Sequence, residues 1–312
     1  MIWVQFSATL LLGVVLLVAW GRYSIETTRR RRAAELYLWI APDIPFLIAA
    51  LQTVIARPST SAASSAPEKL SIVAPAIALD ILLLAVAWFS LRSSRDISFR
   101  DTCTTAAGLL ILGATVVWFA AVVWPGVESV QIARHSAEHV FASTGFLLGA
   151  LLTLAGFTIL NSSLEDAGDR ILSRLGVLSL FFGTVCWALH LAFRLTVVIS
   201  VAQNDRGVVP EWYPPMRMWT GVMYGLYMPL AYLGIAAFGA ALGNIGWIGK
   251  GWGRAFVIFG LIATAGFLAR IGIFDPPLVV NVMPYIAGVL LMRRNASPII
   301  GDSVTGNPEA IR

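Results

Sequence analysis

Residues 177–200 read VLSLFFGTVCWALHLAFRLTVVIS, a run whose only basic side chains are His190 and Arg194 and which holds no acidic one. A hydrocarbon core about 30 Å thick is crossed by about 20 helical residues at about 1.5 Å each, so this run spans a bilayer as one helix. A lone strand would leave its backbone amides unsatisfied in lipid, whereas a helix satisfies them within itself.

Eight further apolar stretches flank it, at 3–21, 36–56, 71–91, 103–124, 141–160, 218–243, 255–274 and 278–293. The chain has 312 residues, 58% hydrophobic and 12% charged, against roughly 25% charged in soluble domains. That much apolar surface cannot be hidden from water. The sequence therefore predicts an all-α, polytopic bundle of about nine transmembrane helices. Residues 1–294 form one domain with short loops, and 295–312 form a polar cytoplasmic tail.

Basic residues decide the threading. Arg22 and the run Arg29 to Arg32 follow the first span rather than precede it, which marks an uncleaved anchor with its N-terminus outside. Arg92, Arg95, Arg100, Arg170, Arg174, Lys250, Arg254, Arg293 and Arg294 then fall inside with the C-terminus, while Arg57, Lys69, Arg134, Arg206 and Arg217 fall outside. The predicted location is a bacterial cytoplasmic (cell inner) membrane. The net charge of +5 is absorbed by this bias and by anionic headgroups, so it does not point to nucleic acid.

Trp20, Trp39, Trp118, Trp124, Trp212, Trp219, Trp247 and Trp252 lie near predicted span ends, as an interfacial belt requires. Gly145 and Gly149, Gly221 and Gly225, and Gly239 and Gly243 are small residues four apart, which allow helix backbones to approach closely. They serve contacts within the bundle or, alternatively, a homo-oligomer or membrane-complex face. Cys103 and Cys186 sit at different depths, which argues against a disulfide.

Ionisable groups at depth are the strongest local signal, because a charge at the bilayer centre costs at least about 2.5 to 3.5 kcal/mol. Counting from the inner boundary, Asp43 lies at roughly 10 Å, Asp80 at roughly 16 Å, His190 at roughly 20 Å, Arg270 at roughly 22 Å and Arg194 at roughly 26 Å. This ladder suits a proton or small-solute path; structural ion pairs between the aspartates and arginines are the alternative. Asp43 stands in Pro42-Asp43-Ile44-Pro45, where missing amides and ring clashes break a helix and leave carbonyls beside a carboxylate. His190 and Arg194 are four apart and share a helix face. A b-type haem would need a second axial ligand at the depth of His190, and the other histidines lie at the outer rim, so haem is not expected.

His135-Ser136-Ala137-Glu138-His139 places two imidazoles on one helical face with a carboxylate beside them. It resembles the zinc motif of the inverzincin metallopeptidases. That resemblance implies zinc on His135 and His139, with Glu138 as general base and the downstream Glu211 as third ligand. It covers five residues, and the host fold of that family is soluble. The alternative is an amphipathic outer loop over Val127 to Val140 whose polar residues face headgroups or water.

No Gly-rich phosphate loop, nucleophile elbow or CxxC pair occurs, which disfavours a nucleotide-driven pump. Three functions stay open: a small-solute or proton-coupled carrier using Asp43, Asp80, His190, Arg194 and Arg270; a metal-dependent membrane hydrolase at the outer face; and a structural or sensory subunit without its own activity.

Overall fold

The computed structural model describes residues 34, 36–41, 80, 82, 83, 85, 99–124, 136–202 and 211–296. The predicted span 3–21, most of the spans 36–56 and 71–91, Asp43, His135 and the tail from 297 lie outside the described residues.

Among the described residues the regular structure is helical, with no strand. The long elements are α1 (Phe99–Val123), α2 (Ser136–Asp166), α3 (Leu172–Ala202), α4 (Tyr213–Asn244) and α5 (Lys250–Leu268). A 3-10 turn at Gly272–Phe274 and the short helices α6 (Pro277–Val280) and α7 (Val282–Ala296) follow. α1 to α5 are long and apolar enough to cross a membrane. Three of them outrun their predicted spans at both ends. α2 and α3 have 31 residues each and α4 has 32, roughly 46 to 48 Å at about 1.5 Å per residue. Apolar runs mark only the part inside hydrocarbon; the polar turns Ser136–Val140 and Asn161–Asp166 continue α2 beyond it.

The eighth predicted span, 255–274, is shifted instead. α5 begins at Lys250 and stops at Leu268, where the amide of Ile271 donates to the Gly266 carbonyl (2.8 Å) and that of Arg270 to Phe267 (2.9 Å). These two bonds form a Schellman stop, with Arg270 in the left-handed conformation at φ 57°. Arg270 is therefore an exposed residue just past the helix end, not a charge within it. The same device ends α4: the amide of Trp247 reaches the Leu242 carbonyl at 2.9 Å, with Gly246 at φ 73°. The ninth predicted span, 278–293, is broken at Asn281 between α6 and α7.

Packing follows an arc in the order α7, α1, α2, α3, α4, α5. Helices in lipid gain little from apolar burial alone, so close approach through small residues matters. A Cβ placed on Gly149 would lie 2.7 Å from the Gly113 carbonyl oxygen, and one on Gly243 would lie 2.9 Å from the Gly253 Cα. Gly145 and Gly149 serve the α1–α2 seam, and Gly239 and Gly243 the α4–α5 seam, as contacts inside the bundle. Gly221 and Gly225 face open space. Leu38 and Trp39 bridge the ends of the arc: the Tyr285 hydroxyl of α7 donates to the Leu38 carbonyl (2.5 Å), and Trp39 stacks on Trp252 of α5 at 6.5 Å.

Two of the tryptophans near helix ends pack inward. Trp118 and Trp247 are buried, and the indole of Trp118 donates to the Leu278 carbonyl at 3.1 Å. Cys103 and Cys186 are both free thiols.

Asn281 holds the break in the last segment. It is buried, donates to the Pro277 carbonyl (3.1 Å) and accepts from the Thr153 hydroxyl of α2 (3.5 Å). Asn281→Ala strands both partners and is expected to cost about 1–2 kcal/mol, read as a lower thermal unfolding midpoint in detergent.

The two ends of the bundle differ. Arg170 and Arg174 (α2–α3 turn), Lys250 and Arg254 (start of α5), and Arg293 and Arg294 (end of α7) share one end, to which the guanidinium of Arg294 over Trp247 (5.3 Å) ties α7. The opposite end carries Trp124, the start of α2, Arg217 and the 272–278 connection.

Candidate functional site

A cavity of about 380 Å³ opens at the less basic end. Its walls are Ala121 and Trp124 from the end of α1, Phe146 from α2, Trp187, His190 and Arg194 from α3, Tyr224 from α4, and Pro276, Pro277 and Leu278. Positions 187, 190 and 194 are three and four residues apart, so α3 presents all three on one face.

Three donors hold the lip. Tyr224 donates to the Asp275 carbonyl, Tyr232 to that of Phe274 (3.1 Å) and Trp118 to that of Leu278 (3.1 Å). A connection that a sequence reads as an irregular loop is thereby fastened to α1 and α4. Pro276 and Pro277 bring no amide donor that would need a partner there.

His190 Nδ1 lies 2.9 Å from the Thr220 carbonyl oxygen. A carbonyl only accepts, so Nδ1 carries the proton and donates, which leaves Nε2 as the acceptor of the neutral ring. Trp187 stacks on the imidazole at 5.3 Å with 8° between planes, and Tyr224 closes its other side at 5.4 Å. The ring can neither turn nor tilt far.

The Arg194 guanidinium sits 3.9 Å above the Trp124 ring centroid. Trp124 also takes the edge of His139 at 5.7 Å and packs on Phe146 at 5.5 Å, so the platform under the cation is braced from α2. Cation–π attraction contributes about 0.5–2 kcal/mol, which offsets only part of the cost of a charge held partly out of water. Among the described residues no carboxylate lies within ion-pair distance of Arg194; the ion pair found there is Arg174 with Glu165, at 2.7 Å. The cavity thus offers a planar cation with no ion-pair partner among the described residues, an acceptor nitrogen and aromatic walls.

The other predicted residues are scattered. Asp80 is buried elsewhere in the core, where Oδ1 accepts from the Tyr37 hydroxyl at 2.6 Å and Oδ2 has no hydrogen-bond partner among the described residues. It is bonded to a phenol rather than to an arginine, so among the described residues the expected aspartate–arginine pairing does not occur. Side chains still connect the two regions: Tyr37 adjoins Leu38, whose carbonyl binds Tyr285, and Tyr285 packs on Trp118 at 5.1 Å beside the lip. Asp43 lies outside the described residues, and Arg270 stands apart at the end of α5.

Of the HxxEH string, His135 lies outside the described residues. Glu138 and His139 occupy the first turn of α2 and are buried, 5% and 1% exposed, so at these two positions the structure departs from the outer-loop alternative, whose residues 127–135 lie outside the described residues. Glu211 is exposed before α4. Among the described residues no group of three or more His, Cys, Asp or Glu side chains is placed to hold a metal ion.

Sequence reading missed Trp124, Phe146, Trp187 and Tyr224 as site residues. Trp187 carried the one available signal, an indole far from either end of its span.

No family model, curated protein or solved structure matches the chain.

Proposed function

We propose that the protein is a multi-pass integral membrane protein that carries a small organic anion, with the aromatic cavity as its solute site. The single observation that supports this most is the Arg194 guanidinium, held on Trp124 with no carboxylate within ion-pair distance among the described residues and facing a cavity of about 380 Å³. A planar guanidinium favours carboxylate-type anions that it can grip with two parallel hydrogen bonds. The rings of Trp187, Tyr224 and Phe146 favour a flat apolar body behind that anionic group.

Threading by the positive-inside rule places the cavity at the outer face and the Lys250/Arg254 end in the cytoplasm. The N-terminus is then outside and the C-terminus inside, with nine crossings in a cell inner membrane. Asp80 with Tyr37 is the proton-handling pair of this reading, because a buried carboxylate whose second oxygen has no partner among the described residues is a group that gains and loses protons at depth. Asp43 and His190 extend the path.

Proteoliposomes test it with benzoate as the probe anion. Uptake with accompanying proton entry is expected from the parent protein, and Asp80→Asn is expected to abolish proton entry while His135→Ala leaves it intact. Absence of benzoate binding and uptake in the parent contradicts the reading. Stoichiometric zinc in purified protein, lost in His139→Ala, would instead favour the hydrolase.

A further inference from the structure

At the other end of the bundle a second cavity, about 500 Å³, lies between the end of α4 and the start of α5. The small residues Gly243 and Gly253 let the two helices touch at its floor. Its mouth carries Asn244, Lys250 and Arg254, all exposed. Lys250 and Arg254 are four apart on one face of α5, and among the described residues neither lies within ion-pair distance of a carboxylate. Gly249 caps α5 with no side chain on the first-turn amides, so the positive end of the helix dipole opens toward the same place. Below the cations the wall becomes Val257 and Ile258, and the outer face of α5 continues apolar and exposed through Leu261 (53%) and Ile262 (56%).

A free inorganic anion would use the mouth and leave the apolar wall bare. A second protein copy would present an end that is itself net basic, Arg170, Arg174, Lys250, Arg254, Arg293 and Arg294 against Glu165, Asp166 and Asp169, so it is a poor charge partner for the two cations. An amphiphile with a phosphate at one end and acyl chains at the other satisfies both halves at headgroup depth. We infer that this groove binds one anionic phospholipid, with its phosphate against Lys250 and Arg254 and an acyl chain along Val257 and Ile258. The inference stands independently of the carrier reading, since the two cavities lie at opposite ends of α4.

Native mass spectrometry of the full chain in detergent, titrated with phosphatidylglycerol or phosphatidylcholine, tests it. Retention of one phosphatidylglycerol with a preference of roughly 10- to 30-fold over phosphatidylcholine is expected from two headgroup cations. The double variant K250Q/R254Q is expected to lose the preference, and K250R/R254K to keep it. Both substitutions are at exposed positions, and an unchanged unfolding midpoint shows that the fold persists. Equal retention of the two lipids overturns the inference, as does a preference untouched by K250Q/R254Q. Displacement of the lipid by equimolar inorganic phosphate, or a dimer that depends on these two residues, overturns it in favour of a free-anion site or a protein interface.

Discussion

Arg194→Gln is expected to weaken benzoate binding by about 10- to 100-fold, the loss of one charge-assisted contact of about 1.5–3 kcal/mol. Glutamine keeps polarity and some reach but removes the charge and the rigid fork. Arg194→Lys is expected to fall between the two, since an ammonium carries the charge without lying flat on Trp124 or donating two parallel hydrogen bonds. Isothermal titration of detergent-solubilised protein reads all three affinities. A site in which Arg194 merely props Trp124 gives a different outcome: Gln and Lys would then lower stability and leave affinity alike.

The second large effect is on assembly of the bundle. Gly149→Leu is expected to destabilise the fold by about 3 kcal/mol, because α1 and α2 meet backbone to backbone at this point. A Cβ there already comes within 2.5 Å of Val117 Cγ2 and 2.7 Å of the Gly113 carbonyl oxygen, and a leucine adds three more carbons. The helices cannot part cheaply, since the same seam positions Phe146 and Trp124 around the cavity. Gly221→Leu is the matched control. Nothing lies within 4 Å of a Cβ at Gly221, so its effect is expected to stay within about 0.5 kcal/mol. Unfolding in mixed detergent micelles separates the two variants, and equal effects would contradict the assignment of Gly149 to an internal seam.

These two sites also show what a reader of the sequence can and cannot see. Long apolar runs announce membrane helices because a single spanning segment satisfies its own backbone in lipid only as a helix, and among the described residues five helices are long and apolar enough to cross. Their ends are less legible. α2 continues through Ser136–Val140 and Asn161–Asp166 because intrahelical hydrogen bonding persists where hydrophobicity stops. α5 ends early because a Schellman stop at Arg270 is set by backbone bonds that hydropathy does not register. That one shift moves a charge from inside a helix to an exposed corner.

In the site, the helical spacing of His190 and Arg194 was legible as a shared face. Their partners were not. Trp124 looked like an interfacial anchor, and nothing in its neighbourhood reveals that Arg194, seventy positions on, lies over its ring. Asp80 raised the expectation of an ion pair, yet its partner is the Tyr37 hydroxyl. Aromatic and phenolic partners carry no charge pattern, so only the packing of helices identifies them. The pair Gly145 and Gly149 and the pair Gly221 and Gly225 read alike in sequence, while one is seam and the other open surface.

The account rests on α1 to α5 crossing a bilayer in alternation, which puts the arginine cavity and the Lys250/Arg254 groove on opposite faces. Single cysteines at Gly168, Gly249 and Gly272, introduced after Cys103 and Cys186 are replaced by alanine, test this in intact cells with a membrane-impermeant maleimide. Labelling at position 272 with protection at 168 and 249 until the cells are permeabilised is the predicted result. Equal labelling at 168 and 272 without permeabilisation would contradict it.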